Sequence, residues 1–168
     1  NNNEDPILLI LSADHLIQDN DDFHKSIEIG KELAMDGKLV TFGVSPTSPE
    51  TGYGYIEAKK SNSQKHYKIK SFTEKPSSIK AKEYIKKGGY YWNSGIFMVK
   101  ASVYLDELGK FEPEILSCCK KSLLSSPQDH DFIRLDSSEF SKCPEKSIDY
   151  AVMERTNKGV IVPLDAKW

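Results

Sequence analysis

Several things are scarce in this chain, and each scarcity closes a route. There are three cysteines, Cys118, Cys119 and Cys143. An adjacent pair with no C-x-x-C and no histidine at ligand spacing supports neither a disulfide framework nor a zinc site, so all three are expected to be reduced bystanders. Charge of either sign is not in excess: 23 Lys plus Arg stand against 25 Asp plus Glu, for a net charge of -2. That excludes a general attraction to nucleic acid or to an anionic membrane. No apolar run approaches the ~20 residues of a membrane helix. The opening NNNEDP is nothing like a signal peptide, so a cytoplasmic protein without nucleic-acid or membrane partners is expected. Neither G-x-G-x-x-G nor G-x-x-x-x-G-K-[ST] occurs, which argues against a dinucleotide fold and a P-loop. With no internal repeat and no low-complexity linker, a single domain over residues 1–168 is the economical expectation.

What is present reads as a soluble globular chain, 38% hydrophobic and 29% charged. The run LLIL at residues 8–11 leads through Ser12 and Ala13 to Asp14 and His15, as a buried strand would hand its chain to a polar site. Asp19, Asn20, Asp21 and Asp22 supply caps and negative charge for a helix carrying Phe23, Ile27, Leu33 and Ala34, with Gly37 as its stop. LVTFGV at 39–44 then completes strand, helix, strand, a βαβ unit that predicts a mostly parallel sheet between helices. Residues 53–75 alternate as an antiparallel hairpin around a turn at Lys60, Ser61, Asn62 and Ser63. A helix follows over 78–87, closed by Gly88 and Gly89. After YYWNSG, the run IFMV predicts a strand, helices are expected over 102–108, 112–124 and 147–156, and GVIVPL is a last strand.

Four short motifs carry chemistry, each with a plainer alternative. Asp14 beyond a strand end is a hard oxygen ligand suited to Mg2+ shared with phosphates, or it caps a turn. His15 is expected to hydrogen-bond its loop. In Thr51, Gly52, Tyr53, Gly54, Tyr55, two glycines could lay their amides against a flat ligand, or the segment is a β-turn. Glu74 could accept from sugar hydroxyls and Lys75 could meet a phosphate, or the two form a solvated edge. Asn93, led in by Tyr91 and Trp92, offers a donor and an acceptor to a hydroxyl, or it forms a turn below core aromatics.

In this order, LSADH, GYGYIE, FTEKP, WNSGIF and SIDYAVME make a set, and the chain closely resembles the mannose-1-phosphate guanylyltransferases. That family includes the bifunctional type with a mannose-6-phosphate isomerase domain. The resemblance implies an α/β, Rossmann-like nucleotide-diphospho-sugar transferase fold. It also implies transfer of GMP from GTP to mannose 1-phosphate, giving GDP-mannose and pyrophosphate, with Mg2+. Asp14 and Lys75 become the catalytic candidates, Asp14 as metal ligand and Lys75 at the sugar phosphate. Gly52, Gly54, Glu74 and Asn93 would bind the sugar, with Tyr53 and Gly95 carried as substrate-binding neighbours in their motifs. Asp149 would be a wall of the pocket. The family's glycine-rich G-G-x-G-x-R-L and its S-D-V-G are not in the sequence, so the expectation is an internal piece of a longer enzyme, inactive alone. A nucleotidylyltransferase for another hexose 1-phosphate and a noncatalytic sugar-phosphate-binding protein stay open, as does a homo-oligomer.

Overall fold

A computed structural model describes residues 4–58, 65–124, 128–129 and 132–168. The expected turn at Lys60 to Ser63 lies outside the described residues. The chain divides into two compact units, one made of Asn1–Tyr104 with Thr156–Trp168, the other of Leu105–Arg155.

The first unit holds a six-stranded sheet in the order β1-β5-β2-β8-β4-β3. The strands are β1 (Ile7–Ile10), β2 (Leu39–Val44), β3 (Tyr55–Ala58), β4 (Tyr67–Thr73), β5 (Tyr90–Lys100) and β8 (Gly159–Pro163). A further β5–β3 pairing brings the ladders back to β5. Among the described residues, that circuit leaves β1 as the open edge, paired with β5 only.

Helix α1 (Asn20–Met35) starts where the sequence places it, because the Asp19 side chain accepts from the Asp22 amide at 3.1 Å. Gly37, at φ +74°, takes the left-handed turn beyond its end. The helix buries Ser26, Gly30 and Ala34. A Cβ on Gly30 would stand 2.7 Å from Phe42 Cζ, so glycine lets helix and sheet close. Beneath it lie Val40, Phe42, Ile96, Met98, Val160, Val162 and Leu164. Each such side chain, fully buried, contributes roughly 1.5–3 kcal/mol. A second cluster joins Tyr55, Ala81, Tyr90 and Trp92, with Tyr84 of α2 (Ser78–Lys87) stacked on Tyr90 at 4.2 Å.

Three sequence expectations are corrected here. The sheet is mixed, but among the described residues β2–β8 is the parallel pair among antiparallel ones. β1, β2, β3 and β8 do share one direction; β5 lies between β1 and β2, so the βαβ unit exists without its strands being neighbours. Next, β1 is not buried: Leu8, Leu9 and Ile10 are 39–41% exposed and Leu11 53%. The open edge leaves one side of the strand without a neighbour. Last, YYWNSG does not lead into a strand; it is the first half of the 11-residue β5.

The second unit consists mainly of helices: most of α3 (Ala101–Phe111), then α4 (Pro113–Leu124), α5 (Ser137–Phe140) and a π-helical turn, Asp149–Met153. A two-stranded ribbon, β6 (Gln128–Asp129) and β7 (Phe132–Ile133), belongs to it. Glu112 accepts from Lys146 at 2.7 Å and also from Arg155, and these two cations hold its carboxyl below the usual carboxylate range. Cys118, Cys119 and Cys143 are free thiols.

Candidate functional site

Strand register brings three of the motifs together. Tyr55 pairs with Thr73 on one side and Trp92 on the other. One step beyond those pairs, Gly54 must therefore lie between Glu74 and Asn93. The Asn93 amide donates to the Gly54 carbonyl at 2.8 Å. A Cβ on Gly54 would sit 2.4 Å from Glu74 Oε2 and 3.3 Å from Asn93 Cβ. Glycine at 54 is thus what lets the carboxylate and the amide share this end of β3.

β5 is irregular at the same point. Gly43 faces Asn93 and Thr41 faces Phe97, so β2 advances two residues while β5 advances four. The surplus is a bulge at Asn93, Ser94, Gly95 and Ile96. Gly95 takes φ +72°, which a residue with a Cβ rarely adopts. Ser94 holds the bulge by donating to the Phe42 carbonyl at 2.7 Å. The plainer reading of Asn93 as a turn former is overturned, because the residue sits inside a strand and the bulge aims it. The plainer reading of the aromatics holds: Tyr91 and Trp92 are 7% and 6% exposed. Burial also pushes the Tyr90 and Tyr91 phenols up, so both stay neutral.

The bulge faces a gap. β1 and β3 lie along the same edge of β5, β1 ending opposite Phe97 and β3 beginning opposite Trp92. The chain leaving β1 and the chain entering β3 both meet at that gap. Ser12 follows β1, and its Oγ is 3.3 Å from where a Gly95 Cβ would be. Asp14 lies two residues on, exposed in a turn. The gap's other wall is aromatic: Trp168 donates its indole N–H to His15 Nδ1 at 3.0 Å, and Tyr53 lies 5.6 Å from Trp168 and 5.1 Å from Trp92. His15 does hydrogen-bond a neighbour, as expected, but the donor is a tryptophan ring. Gly54, Glu74, Asn93 and Gly95 therefore lie at one end of β3 and the β5 bulge, with Tyr53 beside them on Trp92 and Asp14 in the turn that follows Ser12.

Lys75 carries φ +46°, a backbone state costly for a side chain. Its Nζ is 3.9 Å from Glu74 Oε1 and its side chain is 65% exposed, whereas Glu74 is 12% exposed. An ammonium reaching outward beside an enclosed carboxylate suits a ligand with hydroxyls at one end and a phosphate at the other. A Cβ on Gly52 would meet nothing, so the fold itself does not demand glycine there. Asp149 belongs to the second unit, where it opens the π-helical turn and its carbonyl accepts from the Glu154 amide at 2.9 Å.

Among the described residues no cluster of three or more His, Cys, Asp or Glu side chains could hold a metal ion. A cation at this site would instead be shared with ligand phosphates. Mg2+ commonly binds that way, through one or two carboxylates plus substrate oxygens. The exposed carboxylate of Asp14 has the chemistry for it. No helix among the described residues is long and apolar enough to cross a membrane.

Sequence reasoning passed over Thr41, Ser94 and Trp168. A threonine inside the apolar run LVTFGV was the available signal for the first.

The chain is similar to several known proteins. Mannose-1-phosphate guanylyltransferase RfbM of Salmonella typhimurium is 49% identical over 166 residues, 99% of this chain and 35% of that protein. A solved chain described as mannose-6-phosphate isomerase from Helicobacter pylori superposes with a TM-score of 0.90 at 39% identity, covering 98% of this chain and 64% of that one. A Thermus thermophilus structure described as a mannose-1-phosphate geranyltransferase gives 0.80 at 31% identity, covering 94% and 44%. The chain thus spans about a third of the length of its curated relative. The nucleotidyl transferase family model matches residues 1–164, and the chain belongs to that family.

Proposed function

We propose that residues 1–168 are part of one nucleotidyltransferase domain. In this reading they hold the sugar-phosphate side of an enzyme transferring GMP from GTP to mannose 1-phosphate. The observation that carries it is the meeting of Gly54, Glu74 and Asn93 at the β5 bulge, with Lys75 beside them. Relatives that match almost the whole of this chain, over about a third of their own length, bear the guanylyltransferase name.

The sugar phosphate supplies its own nucleophile, a phosphate oxygen that attacks the α-phosphate of GTP in line while pyrophosphate leaves. The protein's work is therefore positioning and charge neutralisation, without a covalent enzyme intermediate. Glu74 accepts hydrogen bonds from sugar hydroxyls. Asn93 binds a further hydroxyl. Lys75 meets the sugar phosphate as a point charge. Gly52 and Gly54 let backbone approach the ring, and Tyr53 and Gly95 border it. Asp14 is the residue that would hold Mg2+, which when bound neutralises phosphate charge. The reading puts the reaction in the cytoplasm, where GTP is supplied.

Calorimetric titration tests the sugar half. Mannose 1-phosphate is expected to bind this chain, and Glu74→Gln or Lys75→Ala to weaken it about tenfold or more, given what hydrogen bonds to charged groups contribute. Equal binding of glucose 1-phosphate or N-acetylglucosamine 1-phosphate would favour another hexose phosphate. Binding by a longer chain that never transfers GMP would favour a noncatalytic binding protein.

A further inference from the structure

The Asn93 side chain is held in one orientation by a residue of the neighbouring strand. Thr41 is wholly buried in β2, amid Leu39, Val40 and Phe42. Its hydroxyl lies 2.9 Å from Asn93 Oδ1 and 3.3 Å from the Ile96 carbonyl. One proton serves one strong bond, and the shorter goes to Asn93. The Gly95 amide also donates to Asn93 Oδ1, at 3.3 Å. A backbone N–H cannot accept, so the atom turned toward Thr41 and Gly95 must be the amide oxygen. The opposite edge of the same planar group is then the NH2, which only donates.

We propose that Thr41 is a positioning residue for ligand recognition. Through its hydroxyl it locks the Asn93 carboxamide with the oxygen toward the sheet and the NH2 turned away from it. The group Asn93 recognises must therefore supply a lone pair, as a sugar hydroxyl oxygen or a phosphate oxygen does. A buried hydroxyl costs free energy unless bonded, and the shorter of its two contacts here is the one to Asn93 Oδ1. The bulge is what makes the lock reachable. In a regular ladder alternate residues face opposite sides, and the extra residues around Gly95 re-aim Asn93 toward β2. The inference rests on Asn93 touching the ligand, as read above.

The test uses the 168-residue chain with the variants Thr41→Val, Thr41→Ser, Asn93→Ala and the Thr41→Val/Asn93→Ala double. Three quantities are measured: mannose 1-phosphate affinity by calorimetry, urea stability, and the Asn93 side-chain NH2 resonances in a 15N spectrum. Thr41→Val keeps the shape of the side chain and removes the hydroxyl. It is expected to weaken binding about fivefold, the worth of a single hydrogen bond, and to move the Asn93 NH2 pair. Thr41→Ser restores both affinity and resonances. On the Asn93→Ala background, Thr41→Val is expected to change affinity less than about twofold, because coupled residues are not additive.

Unchanged affinity in Thr41→Val overturns the proposal, as does an equal loss with and without Asn93. A loss of urea stability that Thr41→Ser shares, with affinity intact, also overturns it by making the role purely structural. If the unaltered chain does not bind mannose 1-phosphate while the NH2 pair still responds to Thr41→Val and not to Thr41→Ser, the lock stands. In that outcome it is the sugar-phosphate reading that falls.

Discussion

β1 and β2 are both apolar strands of the same sheet, and they meet opposite fates. Leu39, Val40, Thr41 and Phe42 are wholly buried, whereas Leu8, Leu9 and Ile10 each keep about two-fifths of their surface in solvent. Composition does not separate them. Position does: β2 has a paired strand on each side, β5 and β8, while among the described residues β1 pairs with β5 alone and only Ile7 of it packs against the core under α1. Apolar character announces a strand; the number of neighbours decides how far it is buried.

The comparison can be broken by substitution. Phe42→Ala is expected to cost about 3–5 kcal/mol, and Leu9→Ala less than about 1 kcal/mol, both by urea denaturation. Equal costs would mean that β1 is as enclosed as β2. The glycines sharpen the same contrast. A Cβ at Gly43 would lie 2.1 Å from Ile161 Cδ1, so Gly43→Ala should destabilise by about 1–3 kcal/mol. Gly52→Ala meets open space and should leave stability within about 0.5 kcal/mol while weakening mannose 1-phosphate binding. Undiminished binding there would show that the ligand does not approach Gly52. An open apolar edge is also a template for pairing with other chains. Leu9→Lys should therefore reduce light scattering in concentrated samples without lowering the urea midpoint, and unchanged scattering would show that the edge is inert.

The smallest effect concerns pH. Glu57 of β3 accepts from Lys87 of α2 at 3.0 Å. That bond holds the Glu57 carboxyl below its usual range and raises the Lys87 ammonium above its own. The Glu57 contribution is present above the ordinary carboxylate pKa and is lost as pH falls through the lowered folded value. The Lys87 contribution is complete below the ordinary lysine pKa and is lost as pH rises through the raised one. Glu57→Gln should flatten both limbs of the urea midpoint against pH, by a modest amount because the pair faces solvent. An unchanged profile would show that the pair contributes nothing.

Much of the candidate site was readable as motifs. Asp14, Gly54, Glu74 and Asn93 each stood in a stretch whose chemistry suggested a polar ligand, and helix α1 was readable with its cap among Asp19, Asn20, Asp21 and Asp22. For the aromatics beside Asn93 the sequence left core and pocket wall both open, and burial decides for core. Their arrangement was not readable, because a strand written YYWNSGIFMVK carries no local sign of where its bulge falls or which partner strands it meets. The glycine in N-S-G looks like a turn in sequence and proves to be the left-handed residue of a bulge.

The sequence by itself determined helix α1, the apolar cores of β2 and β8 and the residue types of the site, since these follow from periodicity, capping and side-chain chemistry within a few residues; the helix expected over 147–156 proved to be a π-helical turn, Asp149–Met153. Tertiary structure alone decided that β1 stays exposed and that β5 separates β1 from β2. It also decided that Thr41, fifty-two positions from Asn93, fixes the direction of that amide. Such facts depend on which strands become neighbours and in what register, and that is settled by the packing of the whole sheet.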